Sequence, residues 1–127
     1  AKGKSAYVDR LRLTPEDSLA AIRAAGGVPV LAHPFTLELE PAALERVVDR
    51  LCAAGLEGIE VEYPEHRPEQ RRRYAGLAEA HGLVATGGTD FHGALTPDLR
   101  LGVGFGGLRV PDETVDAVAA RRPRPSA

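Results

Sequence analysis

Two periodicities alternate along the chain. Three short runs are almost continuously apolar: Val28-Pro29-Val30-Leu31-Ala32, the Gly58-Ile59-Glu60-Val61-Glu62 stretch, and Leu83-Val84-Ala85. Runs this short, bounded by glycine or proline, predict strands. Between them, apolar residues recur every three or four positions. Leu44, Val47, Val48 and Leu51 predict a helix from near Pro41 to Gly55, and a further helix spans roughly residues 68–80 before His81-Gly82. Ahead of the first strand, Thr14-Pro15-Glu16-Asp17 predicts a helix start, with Thr14 as cap, proline at the first turn and acids facing the positive end of the dipole. That helix should stop at Gly26-Gly27. A last helix begins near Pro111-Asp112-Glu113, after a glycine-rich loop over residues 102–107.

Apolar strands separated by helices predict an α/β domain, with parallel strands and the helices packed outside. Only about three strand–helix units are present, and a closed barrel needs more. The chain is therefore part of a larger barrel, a small open sheet, or one half of a barrel completed by another polypeptide. Residues 1–13 read as an extended entry segment carrying Lys2 and Lys4. Residues 1–120 read as one unit, and the Pro/Arg-rich residues 121–127 as a disordered tail.

The chemistry gathers where the strands end. The first run finishes on His33, the second carries Glu60 and Glu62, and the third leads through Gly87-Gly88 to Asp90 and His92. These polar groups recur at intervals of roughly 30 residues, the length of a strand plus its crossover helix. They should therefore lie at the same end of adjacent strands. On extended backbone, Asp90 and His92 would point the same way, and a carboxylate with an imidazole is a pair that divalent metals accept.

Composition narrows the reading. The 127 residues have a formal charge of −2, which argues against a basic nucleic-acid clamp but leaves room for a small charged substrate. The single Cys52 rules out an internal disulfide, fits a reducing cytoplasm, and is expected on the buried face of its helix. No apolar stretch approaches the ~20 residues that span a bilayer. His81 is expected to serve its helix terminus, and Arg71, Arg72 and Arg73 to form a solvated face. No Lys-Ser/Thr follows the glycine-rich loop, so it is not a phosphate-binding P-loop.

In order and spacing, the runs Ala32-His33-Pro34, Gly58-Ile59-Glu60-Val61 and Gly87-Gly88-Thr89-Asp90-Phe91-His92-Gly93 resemble the later motifs of the PHP (polymerase and histidinol phosphatase) superfamily. The segment Gly3-Lys4-Ser5-Ala6-Tyr7-Val8 and the turn Tyr63-Pro64-Glu65-His66 are similar to the branch that acts on nucleoside bisphosphates and RNA 5′ ends. The resemblance implies the C-terminal part of a distorted barrel of seven strand–helix units holding two or three divalent ions (Mn, Zn, Fe or Mg). It implies His33, Asp90 and His92 as metal ligands, with Asp90 central to catalysis. Lys4, His66 and Arg67 would contact substrate phosphate. Glu60 would lie beside them, as an inner-barrel carboxylate rather than a direct ligand.

The family's first H-x-H motif and the ligands after it have no counterpart here. The four histidines are His33, His66, His81 and His92, and no two are separated by one residue. The expected whole is thus a longer protein or a complex with an N-terminal half, acting on nucleotides or short oligonucleotides. This chain alone would be inactive and prone to self-association. A non-catalytic PHP remnant serving as a structural module is the alternative. A barrel of amidohydrolase type is a third reading, disfavoured because the only lysines, Lys2 and Lys4, lie at no predicted strand end.

Overall fold

The computed structural model describes residues 12–124. Helix α1, Pro15–Ala24, starts as expected: the Asp17 amide donates to Thr14 Oγ1 at 3.1 Å, satisfying one of the free N–H groups of the first turn. Strand β1, Val30–Leu31, is followed by a 3₁₀ turn, Pro34–Leu37, and by helix α2, Pro41–Ala53. Strand β2, Gly58–Glu62, helix α3, Pro68–His81, and strand β3, Val84–Gly87, complete the repeating part. Helix α4, Glu113–Ala119, closes the chain.

The three strands form one parallel sheet in the order β1-β2-β3. Ile59 and Val61 of β2 turn into the core, where they meet Leu44, Val48 and Leu51 of α2 and Tyr74 and Ala78 of α3. Because side chains alternate along a strand, Glu60 and Glu62 take the opposite face. The β2–β3 register skips Val61, since Glu60 pairs with Thr86 and Glu62 with Gly87. Such a bulge twists a strand locally and re-aims the residues beyond it.

Several expectations need correction. Strand β1 stops at Leu31, short of His33, because His33 has φ 29°, outside the extended region. Strand β3 runs on to Gly87, past the predicted Ala85. Arg71 leaves the solvated face assigned to its helix: it pairs with Glu62 at 3.3 Å and donates to the Tyr63 carbonyl at 3.2 Å. Arg121 donates to Glu57 Oε2 at 2.9 Å and to the Gly82 carbonyl at 2.8 Å, while Arg23 holds the other oxygen of Glu57 at 2.9 Å. The described residues form an open three-stranded sheet with helices. None of their helices is long and apolar enough to cross a membrane.

Candidate active site at the strand ends

The carboxyl ends of all three strands bring the expected groups to one edge of the sheet. His33 lies just beyond β1 and Asp90 just beyond β3, while Glu60 and Tyr63 come from the central strand and its exit. Glu60 Oε2 accepts the backbone N–H of His33 at 2.6 Å. On the other side, the Tyr63 hydroxyl donates to Asp90 Oδ2 at 3.3 Å, and the Tyr63 ring packs on His33 with centroids 5.8 Å apart. Gly88 makes room for this arrangement, since a Cβ there would lie 3.3 Å from Glu60 Oε1.

His33 and Asp90 are two of only three non-glycine residues with positive φ among the described residues, at 29° and 51°. Each such conformation costs on the order of 1 kcal/mol or more and persists where the surroundings enforce it. Asp90 and His92 do approach each other, but through a turn after β3 has ended, not along an extended strand as expected. The His92 Nδ1–H donates to the Asp90 carbonyl at 2.6 Å and lies 3.6 Å from Asp90 Oδ1.

These bonds fix the imidazole tautomers. A carbonyl can only accept, so His92 Nδ1 carries a proton, and a neutral ring would then keep its lone pair on Nε2. At His33 the partner is Thr36 Oγ1, 3.1 Å from Nδ1, and that hydroxyl gives its proton to the His33 carbonyl at 2.9 Å. Nδ1 of His33 must therefore donate too, which again leaves Nε2 as the lone-pair nitrogen. In a neutral ring, a donating Nδ1 leaves Nε2 for a metal, as in metal-binding histidines whose other nitrogen is hydrogen-bonded.

Burial raises the Glu60 carboxyl above its ordinary range. The His33 amide opposes the shift, and the Asp90 charge adds to it. Tyr63 is pushed up to about 12, first by burial and then by the Asp90 and Glu65 charges beside it. At neutral pH it is therefore a hydrogen-bond donor to Asp90 throughout.

The remaining expected residues fall differently. Lys4 lies outside the described residues. His66 is not on a surface turn but is 3% exposed, enclosed by the rings of Phe35, Tyr63 and Tyr74. A buried, neutral imidazole is a poor partner for a phosphate. Glu60 faces the His33 backbone, and its negative charge does not suit an anionic substrate. Arg67 is exposed, pairs with Glu69 at 3.0 Å, and lines a cleft of about 370 Å³ with Gln70, Arg73 and Tyr74. Tyr63, part of the turn that carries the resemblance, was given no role in the site; an aromatic with a polar tip at the exit of the carboxylate strand was the signal that could have found it.

Among the described residues, no three His, Cys, Asp or Glu side chains are grouped to hold a metal ion. The donor types suit a divalent cation: two imidazoles hydrogen-bonded through Nδ1 and one carboxylate.

No family model matches the chain. It is 38% identical over 90 residues to a 3′,5′-nucleoside bisphosphate phosphatase of Chromobacterium violaceum, covering 71% of this chain and 32% of that protein. It is 36% identical over 92 residues to the 5′-3′ exoribonuclease Rnm of Escherichia coli, covering 72% and 31%. A structure from Bifidobacterium adolescentis described as a metal-dependent phosphoesterase superposes with a TM-score of 0.74 at 31% identity, over 98% of this chain and 42% of that one. A Chromobacterium violaceum structure described as an amidohydrolase, with bound sulfate and no metal, gives 0.70 at 32% identity, over 99% and 43%.

The chain is thus a relative of the metal-dependent phosphoesterases, and the PHP resemblance carried by its motifs holds. It spans about a third of the length of the curated relatives it matches.

Proposed function

We propose that this chain supplies the later ligands of a PHP barrel whose whole hydrolyses phosphate esters of nucleotides or short oligonucleotides. The observation that carries this reading is the shared placement of His33, Asp90 and His92. All three stand at the carboxyl edge of a parallel sheet, both imidazoles are hydrogen-bonded through Nδ1, and two of the three residues sit in left-handed backbone. The relatives named for nucleoside bisphosphates and RNA 5′-3′ degradation support the substrate class.

In this reading His33 and His92 donate through Nε2, and Asp90 ligates or bridges. Two or three divalent ions, manganese foremost, would supply an activated water and positive charge for the phosphoryl oxygens. Arg67, exposed at the Arg73–Tyr74 cleft, and Lys4 are the cations for a second phosphate. Further ligands come from a part of the barrel that the described residues do not supply, either more of the same polypeptide or a partner.

One observation favours a second reading, a non-catalytic PHP remnant with a structural role: the described residues alone assemble no metal-holding group. A single assay separates the two. The whole protein, supplied with Mn²⁺, is tested for phosphate release from a nucleoside 3′,5′-bisphosphate and for nucleotide release from a 5′-phosphorylated oligoribonucleotide. Release that a chelator stops and Mn²⁺ restores, and that Asp90→Asn abolishes, is the expected result. No release by folded wild-type protein would leave the remnant reading standing.

A further inference from the structure

The central strand leads to none of the proposed ligands, yet it reaches the segments just beyond both neighbouring strands that carry them. Glu60 reaches sideways to the His33 amide at the end of β1, and Tyr63 reaches the other way to the Asp90 carboxylate at the end of β3. We infer that Glu60 and Tyr63 are positioning residues, through which β2 braces His33 and Asp90 into the backbone and side-chain orientations that metal binding needs. This rests on the metal-site reading above and deepens it.

Three features argue for bracing over incidental contact. First, the two residues held from β2 are the two ligand candidates with positive φ, at 29° and 51°. A bond to the His33 amide acts directly on the peptide unit whose torsion is unfavourable, and a charged acceptor makes that bond strong. Second, the site is built around the carboxylate. Glu60 is half-buried between the two outer strands' exits, and glycine at position 88 leaves it room. Third, Tyr63 serves both sides: its ring packs on His33 at 5.8 Å while its hydroxyl fixes one oxygen of Asp90. Holding one carboxylate oxygen leaves the other to face a cation, as outer partners of metal ligands commonly do. The bulge at Val61, between the two braces, lets both act from one strand: Glu60 stays in register with Thr86, and the exit at Tyr63 is re-aimed.

The test uses the whole protein with two readouts. In the metal-free state, the amide proton of His33 should resonate far downfield in wild type, because its acceptor is a carboxylate at 2.6 Å. It should stay downfield in Glu60→Gln, which keeps an acceptor oxygen, and return to an ordinary shift in Glu60→Ala. With Mn²⁺ followed by electron paramagnetic resonance, Glu60→Ala and Tyr63→Phe should each weaken binding about 10–100-fold, while Glu60→Gln restores most of the affinity. Circular dichroism on each variant separates unfolding from loss of bracing.

An unchanged Mn²⁺ affinity in folded Glu60→Ala and Tyr63→Phe overturns the inference. So does Glu60→Gln binding as weakly as Glu60→Ala, since charge and not the hydrogen bond would then matter. Failure of wild type to bind Mn²⁺ while the His33 amide signature persists is a different result. It sinks the metal-site reading, and the inference with it, although the contact itself is real.

Discussion

His66 Nδ1 lies 2.8 Å from the carbonyl oxygen of Val61, the residue that the β2–β3 register skips. The imidazole gives the bulged residue a hydrogen-bond donor inside the core. It must therefore carry its proton on Nδ1, and Nε2 is buried without a partner among the described residues. A buried imidazole in this setting is held neutral. Burial lowers its pKa, the Val61 carbonyl opposes the shift, and Arg71 adds to it.

This burial makes stability depend on pH, with its sign fixed. In the unfolded chain His66 takes up a proton near its ordinary pKa of about 6.5, whereas the folded chain does so only at lower pH. Below about pH 6.5 the unfolded state binds more protons, so stability falls as the pH drops, until the folded ring also protonates. Chemical denaturation between about pH 8 and pH 5 should show this decline in wild type. It should be shallower in His66→Asn, which can still donate to Val61 but cannot titrate. Equal slopes would mean that another group is responsible.

Arg71 should matter more than its neighbour on the same helix. It links α3 to the exit of β2 through Glu62 and the Tyr63 carbonyl, whereas Arg72 is exposed. The pair is about one-third exposed at both ends and Arg71 Nε is buried without a partner among the described residues, so the net gain is moderate. Arg71→Ala should cost about 1–2 kcal/mol and Arg72→Ala no more than about 0.5 kcal/mol, as measured by urea denaturation.

Particular residues show where the sequence was readable. Helices α1 and α2 announced themselves through Thr14-Pro15 and Pro41 with periodic leucines and valines, because local caps and one buried stripe decide such elements. The strand-end placement of His33 and Asp90 was likewise legible from the spacing of strand–helix units. The features that escaped were set by packing between segments far apart in sequence. The Pro64-Glu65-His66 turn looks polar, but Phe35 and Tyr74 come from elsewhere to bury its histidine. Arg71 in a run of three arginines carries no local mark of its contact with Glu62. Tyr63 gained its partner only once β3 lay beside β2.

Two glycines should respond in opposite directions to the same substitution. A Cβ at Gly87 would lie 2.6 Å from both Glu62 Cβ and Val110 Cγ2 and 2.8 Å from the Glu62 carbonyl, so strand β3 would have to shift just before Asp90. Gly87→Ala should destabilise by about 1–3 kcal/mol and weaken Mn²⁺ binding as well. Gly76, inside α3, would meet nothing within 4 Å, and alanine is the better helix former. Gly76→Ala should stabilise by about 0.5–1 kcal/mol, with no change in Mn²⁺ affinity. Thermal melts and Mn²⁺ titrations of the two variants side by side check both claims.

The loop beyond the candidate site is apolar where it meets solvent. Leu95 is 84% exposed, Leu101 75% and Phe105 63%, and Phe91, next to His92, is 44% exposed. A cluster of large apolar side chains in one loop is unusual for a surface that stays in water. In the proposed barrel this loop would be covered by the part that brings the remaining ligands. Produced alone, the 127-residue chain should therefore associate with itself, reversibly and with increasing concentration. Leu101→Lys with Phe105→Lys should shift it toward monomer in sedimentation experiments. The same double substitution in the whole protein should weaken Mn²⁺ binding, because it disturbs the covered loop. A wild-type chain that stays monomeric at high concentration would count against a covered loop and against completion of the site from that side.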